Sequence, residues 1–459
     1  MIDAGRGSAP RSRIAAPAWL QEPATRAVLA ALAAGGAEAR FVGGAVRDAL
    51  LGRPTADRGP ASDPRDDIDI ATPAAPDRVV ELLRQAGIKV VETGLAHGTV
   101  TAVVPPRRFE ITTLRRDVET DGRHARVAFD ADWAKDAARR DFTINAIFLG
   151  PDGTLYDPVG GLADLAAGRV RFVGDPATRI AEDVLRLLRY YRFEARFGAA
   201  TPAPAKAGGD AAARAACRAA AHLLPSLSAE RVAQELMRLL EGPGTSAAVQ
   251  MMHEDGVLAG VLPEARRLDR LARMIAVEPE PDPLRRLAAL VEVDRRGAVT
   301  LGQRLRFANA WRDRLQRLAP PWGLDPEGDR RARRQALYRL GAADFRDQAL
   351  LLAAEGKISR ARLAELLALA KSWTPPAFPL AGGDVTALGL APGERVGRLL
   401  GRVKDWWEKE DFVPDRAQCL ACLRETAAAE DPPQHETRGQ SGRDVGDRPA
   451  AGVAGEPQP

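Results

Sequence analysis

Residues 66–72 read DDIDIAT, and this run decides how the surrounding chain must be built. In a strand the side chains alternate between two faces, so Asp67 and Asp69 share one face and Ile68 and Ile70 the other. The isoleucines can enter a core while both carboxylates face a cleft. Two carboxylates held side by side repel unless a cation sits between them, and oxygen ligands with room for water suit Mg²⁺. Metals held in this way activate an attacking hydroxyl and neutralise a departing pyrophosphate. The pattern alone is common, so its weight rests on its neighbours.

Upstream, residues 41–52 read FVGGAVRDALLG: an apolar strand, Gly43 and Gly44, then a helix opening on Ala45 with Arg47 one turn in. Glycines let backbone N–H groups approach a phosphate, and a helix start adds favourable partial charge. A structural strand-to-helix turn has the same appearance. Downstream, RRFEITTL at 107–114 puts Glu110 and Thr112 on one face and Phe109 and Ile111 on the other. If this strand neighbours the DDIDIAT strand, Glu110 completes a carboxylate triad; the alternative is an edge-strand glutamate in solvent. ARRDFTINAIF at 138–148 sets Arg139, Arg140, Asp141 and Asn145 around apolar Phe142, Ile144, Ile147 and Phe148, a phosphate- and ribose-binding set or a capped element boundary. In IAEDVLRLLRYYRF at 180–193, helical spacing aligns Asp183, Arg186 and Arg189 with Tyr190 on one stripe, where a surface Asp-to-Arg pair is the plain reading.

The wider chain fits a large globular protein. Its 459 residues exceed what one core usually organises, and 45% are hydrophobic. Short β-like runs (ARFVG, DIDIAT, TVTAVV, RFEITTL, FTINAIFL) alternate with amphipathic stretches such as PDRVVELLRQAG, which predicts a compact head with both strands and helices over 21–165. Beyond it the pattern is helical almost throughout, giving a neck over 166–245 and a body and tail over 246–424. Residues 1–20 and 425–459 have little to bury and read as disordered ends. Gly/Pro/Ala breaks near 198–210, 277–284, 319–328 and 373–383 separate the helices.

Net charge is only +4, yet 59 of the 66 basic residues are arginine, the better partner for bidentate phosphate contacts. Coding bias produces the same composition, so charge permits RNA without requiring it. No stretch reaches the length of a spanning helix and no apolar signal core opens the chain, so a cytoplasmic location is expected. Cys419 and Cys422 form one CLAC, half of a four-thiolate site with no second half, and read as small residues on a terminal helix.

Taken in order, GGAVRD, DIDIAT, RRDFTINA, YDPVGGLADL, EDVLRLLRYYRF and SAERVAQELMRLL resemble the class II CCA-adding tRNA nucleotidyltransferase and bacterial poly(A) polymerase family. The resemblance implies an α+β fold: a polymerase-beta-like nucleotidyltransferase head, a mixed sheet with helices, followed by an all-helical neck, body and tail. It implies Asp67 and Asp69 as the catalytic Mg²⁺ ligands. Gly43, Gly44 and Arg47 would hold the triphosphate, Arg139 and Arg140 the phosphates, and Asp141 and Asn145 the ribose. Asp183 and Arg186, with Arg189 on the same stripe, would read the incoming base in the neck. The chemistry agrees: cytosine and adenine each present an exocyclic amine beside an unprotonated ring nitrogen, which a carboxylate and a guanidinium satisfy together. Guanine and uracil leave that pair unmatched, at about 1–3 kcal/mol for each buried group.

The segment TLRRDVETDGRHARVAF at 113–129 resembles the family's flexible loop, with Gly122 as its hinge and Arg115 and Arg116 assisting the change from C to A addition. The connection at 53–65 is longer than the family's usual one and reads as a surface insertion. The stretch FPLAGGDVTALGLAPGERVGRLLGRVKDWWEKEDF at 378–412 resembles the tail that grips tRNA in CCA-adding enzymes, although a helical cap with Trp406 and Trp407 in its core fits equally. Poly(A) polymerases tend to carry a strongly basic C-terminal extension, and this tail is mixed in charge. The expectation is therefore addition of CMP and AMP, from CTP and ATP, to the 3′ end of tRNA, with poly(A) synthesis as the alternative and a silent RNA-binding protein of the same fold as the lesser one. The body carries His222 and His253 without an adjacent His-Asp pair, so no appended phosphohydrolase is expected.

Overall fold

A computed structural model describes residues 12–52, 68–95, 98–121, 124–129, 131–198 and 209–430, with backbone alone at 93 and over most of 116–128. Its contacts divide the chain into two units, Met1–Trp373 and Thr374–Pro459.

The first unit opens with a mixed sheet. Its strands are β1 (Ser12–Arg13), β2 (Arg40–Phe41), β3 (Ile68–Thr72), β4 (Lys89–Gly94), β5 (Thr99–Val104), β6 (Arg107–Thr113), β9 (Phe148–Leu149) and β10 (Thr154–Tyr156), with β7 (Arg115–Asp121) and β8 (His124–Phe129) forming a separate ribbon. Spatial order is β1-β10-β9-β2-β3-β6-β5-β4, and β3 with β6 is the parallel pair. Helices α1 (Pro23–Ala34), α2 (Gly44–Leu50), α3 (Pro76–Gln85) and α4 (Trp133–Ala138) belong to this head. Prolines at the first turns of α1 and α3 cost no hydrogen bond there, and Val79, Val80, Leu82 and Leu83 of α3 are buried. Ile68, Ile70, Phe109 and Ile111 are almost wholly buried in the same core, each worth roughly 1.5–3 kcal/mol of burial.

The neck follows as α5 (Gly161–Ala166), α6 (Pro176–Glu182), α7 (Leu185–Phe193), a π-helical turn at Glu194–Gly198, α8 (Ala211–Ala220) and α9 (Ala229–Glu241). Further helices run from Thr245–Glu254 to Arg360–Ser372 in the first unit. Aspartates start many of them: Asp132, Asp175, Asp210, Asp282, Asp294 and Asp329 each accept a backbone N–H from the first turn, worth about 1 kcal/mol apiece. The second unit packs helices at Glu394–Lys409 and Arg416–Glu430, with Trp407 buried and Trp406 half-buried.

Four expectations need correction. The arm expected over 1–20 is ordered from Ser12: β1 pairs with β10, and Trp19 is buried edge-on against Phe41 at 4.9 Å. FTINAIFL forms a 3-10 turn at Thr143–Asn145 before its short strand, because the Thr143 hydroxyl donates to Asp164 at 2.6 Å and Asn145 bonds to Asp141. The helix expected over 180–193 is broken at Asp183, whose backbone is extended. The last helix continues to Glu430, past the expected start of the tail at 425. The connection at 53–65, Gly122 and residues beyond 430 lie outside the described residues.

Candidate functional site

Asp69 and Glu110 are direct register partners across the parallel β3–β6 pair, so their side chains project side by side from one face of the sheet. Both are half-buried, whereas the isoleucines flanking Asp69 are in the core. The alternation expected from DDIDIAT therefore holds at Asp69, and Glu110 is no edge residue, since β5 covers its other side with Thr101 as partner. Asp67 lies outside the described residues. Gly43 stands against Asp69: its φ is +78°, and a Cβ there would lie 2.8 Å from Asp69 Oδ2. Glycine is thus required twice over, by backbone conformation and by approach. Gly44 begins α2 directly behind it.

Asp69 opens into a cavity of about 210 Å³ lined also by Val42, Ile70, Thr99, Thr112, Arg115, Arg139 and Arg140. Three guanidinium groups around one carboxylate favour an anionic ligand. Arg139 and Arg140 are held in place by Asp136, which lies beneath them only 1% exposed and receives Arg139 Nε at 2.7 Å and Arg140 Nη2 at 3.0 Å. Burial raises the Asp136 pKa, but the neighbouring Arg140 and Arg139 charges outweigh it and hold the carboxyl below its usual range. Sequence reasoning missed Asp136, although DAARR places it three and four residues before its partners, the spacing of one helical turn. The Arg116 side chain lies outside the described side chains.

Arg47 is placed differently from the triphosphate contact expected of it. It is 1% exposed and absent from the cavity wall. Its Nη1 donates to Asn145 Oδ1 at 2.7 Å, its Nε donates to Asp48 Oδ1 at 3.0 Å, and its guanidinium lies 4.2 Å from the Phe197 ring centroid. A charge so fully satisfied inside the protein braces α2 against the neck. Asn145 in turn donates to Asp141 Oδ1 at 3.1 Å, and Asp141 Oδ2 accepts Arg189 Nε at 2.8 Å. Burial pushes the Asp141 carboxyl upward, but Arg189 and the Asn145 amide prevail and bring it down to about 2. Tyr190, expected beside Arg189 on the stripe, is in the core.

The neck pair sits beside this network. Asp183 occupies the break between α6 and α7, where Oδ1 accepts Leu185 N–H at 3.1 Å and Oδ2 accepts Arg231 Nη2 at 2.7 Å. Arg186 donates to Glu182, to Arg179 O at 3.0 Å and to Arg139 O at 3.4 Å. The last contact joins the base-reading candidate to the phosphate-binding candidates. Asp183 and Arg186 thus face separate partners rather than each other, because the break at Asp183 removes the one-turn geometry assumed for a continuous helix.

Known proteins place this arrangement. Residues 39–171 match the family described as Poly A polymerase head domain, and residues 210–268 that described as Probable RNA and SrmB- binding site of polymerase A. The chain is 34% identical over 408 residues to CCA tRNA nucleotidyltransferase 1, mitochondrial, of Danio rerio, covering 85% of this chain and 88% of that one. The chain belongs to the CCA tRNA nucleotidyltransferase family. The human relative of the same name is 33% identical, again over 85% of this chain and 87% of its own. Among solved structures, the Bacillus stearothermophilus CCA-adding enzyme in complex with CTP superposes with a TM-score of 0.70 at 26% identity, covering 89% of this chain and 99% of that one. The mixed-sheet head and helical continuation are those of the family. Nucleotidyltransferases of this family are generally metal-dependent. No helix among the described residues is long and apolar enough to cross a membrane, and the mitochondrial names of these relatives leave the cytoplasmic expectation without support.

Proposed function

We propose that this protein adds CMP and AMP, taken from CTP and ATP, to the 3′ end of tRNA without a nucleic-acid template. The observation that carries the reading is Asp69, in register with Glu110, opening onto a cavity lined by Arg115, Arg139 and Arg140, in a chain of this family.

The donor set fits Mg²⁺. Asp69 and Glu110 offer adjacent carboxylate oxygens, Gly43 leaves open the space beside Asp69 Oδ2, and Asp67 would supply the third carboxylate. Bound there, Mg²⁺ lowers the cost of deprotonating the attacking 3′ hydroxyl and offsets charge on the departing pyrophosphate. The protein's own residues do the rest. Arg139 and Arg140, locked by Asp136, cradle phosphate oxygens with the rigid forks that suit them, and Arg115 adds a third cation. Asp141, held ionised by Arg189 and Asn145, accepts from the ribose hydroxyls. Asp183 accepts from the exocyclic amine of cytosine or adenine and Arg186 donates to the ring nitrogen beside it. Guanine and uracil present a carbonyl and an N–H there, opposing both.

The reading is tested with purified protein, Mg²⁺ and a tRNA ending before its CCA, supplied with CTP, ATP, both, or GTP and UTP, with products sized at single-nucleotide resolution. Growth by C, C and A, abolished in Asp69→Ala, is the expected result. Long ATP-only tails on any RNA would instead establish poly(A) synthesis.

A further inference from the structure

Helix α9 lies outside the cavity, yet it carries the cation that holds the proposed base reader. Arg231 reaches back to Asp183 across 48 residues of sequence, its Nη2 2.7 Å from Oδ2. One turn further along α9, Glu235 is buried and forms an ion pair with Arg192, N to O 2.6 Å, with Arg189 at 3.9 Å. Arg231 and Glu235 thus form a row of opposite charges against the polar edge of the break and of α7.

We propose that Arg231 is a positioning residue for nucleotide selection, fixing the Asp183 carboxylate in the orientation that accepts an exocyclic amine. The proposal rests on the base-reading role given to Asp183 above. A carboxylate offers about four lone-pair directions, two on each oxygen. Leu185 N–H occupies one on Oδ1 and Arg231 one on Oδ2. Two donors on different oxygens stop the carboxylate turning about its own axis, and each oxygen keeps one direction for a ligand. With Arg231 removed, only the Leu185 N–H restrains the group. The acceptor can then rotate, and Asp183 no longer opposes the carbonyl of uracil or guanine from a fixed position.

Stability alone does not account for this pair. The Asp183 and Arg231 side chains are 26% and 28% exposed, and ion pairs so open to solvent add little to folding. Other helices of the neck and body are joined by pairs far more deeply buried, such as Arg285 with Asp347 and Arg286 with Glu278. Loss of Arg231 should therefore show in selection before it shows in folding.

The test compares the full-length wild type, Arg231→Gln and Arg231→Lys in steady-state extension of a tRNA ending before its CCA, with CTP, ATP and UTP each varied, alongside thermal unfolding of each protein. Arg231→Gln is expected to raise KM for CTP and ATP about tenfold while kcat changes by less than about threefold, the signature of lost binding rather than lost chemistry. Its preference for CTP over UTP, as a ratio of kcat/KM, should fall about tenfold. Arg231→Lys keeps the cation but not the planar fork, and should recover part of both. A wild type that extends tRNA normally while Arg231→Gln keeps its CTP KM and its rejection of UTP within about twofold overturns the positioning role and leaves the proposed function standing. A lowered melting temperature with KM and selectivity unchanged overturns it as well, because the pair would then be structural. Should Arg231→Gln fail to fold, the comparison rests on Arg231→Lys, for which unchanged selectivity overturns the proposal. A wild type that adds no nucleotide to tRNA sinks the proposed function, and this assignment with it.

Discussion

Glu194 begins the π-helical turn that ends α7, the helix proposed to read the base, and it is buried, with no ion pair to it among the described residues. Burial pushes its carboxyl up to about 7; Asp210 adds to the push, while the Tyr190 hydroxyl and Arg214 oppose it without cancelling it. The unfolded chain, with an ordinary glutamate value of 4.5, releases this proton first, so stability falls as pH rises from there through about 7 and levels off above. The full shift of about 2.5 pH units corresponds to roughly 3 kcal/mol, of which about 2 kcal/mol is lost between about pH 5.5 and about pH 8.5. Glu194→Gln keeps an acceptor for Tyr190 and removes the titration. Melting temperatures of wild type and variant, taken at both ends of that interval, should diverge by roughly 2–4 °C in favour of the variant at the alkaline end. Parallel pH profiles for the two proteins would refute the argument, because they would mean Glu194 titrates in the folded protein as it does in the unfolded one.

Two further perturbations act on the cavity itself. Gly43→Ala forces a side chain into a left-handed backbone position 2.8 Å from Asp69 Oδ2; with Asp69 displaced, kcat for CTP addition should fall about 100-fold, and an unchanged kcat would show that the position of the Asp69 carboxylate beside Gly43 does not matter to the reaction. Asp136→Ala leaves Arg139 and Arg140 without the anion between them, which should cost about 3 kcal/mol of stability and raise KM for CTP; a melting temperature equal to wild type would show that the two guanidinium groups find other partners.

Which parts of this site can be read from sequence follows from the range of the interactions that build it. The alternation in DDIDIAT and RRFEITTL is a property of each strand alone, so the core and cleft faces were legible at Asp69 and Glu110 before any pairing was known. Their adjacency was conditional, since nothing local says that β3 and β6 are neighbours; a parallel register between chain segments some forty residues apart is a tertiary fact. The break at Asp183 was illegible for a related reason. EDVLRLLRYYRF has continuous helical spacing, and what holds Asp183 in extended backbone is the cap to Leu185 together with a guanidinium from α9. The placement of Arg47 was illegible in the same way: the motif shows an arginine near glycines, and its acceptor Asn145, which holds it inward, lies 98 positions away.

The residues proposed to do the chemistry and those proposed to orient them therefore differ in how they announce themselves. Asp69, Glu110, Arg139 and Arg140 sit in short local patterns, because metal and phosphate contacts need particular groups at particular spacings. Asp136, Arg189, Arg231 and Glu235 work through pairing, and apart from Asp136 their partners lie on other elements. A site that selects its nucleotide without a template has no second strand to impose geometry on the incoming base. The geometry must come from the protein, through carboxylates and guanidinium groups that are themselves held from behind. In the proposed base-reading role this is what the separate partners of Asp183 and Arg186 supply, and substitution of the groups behind them should change which nucleotide is accepted more than how fast it reacts.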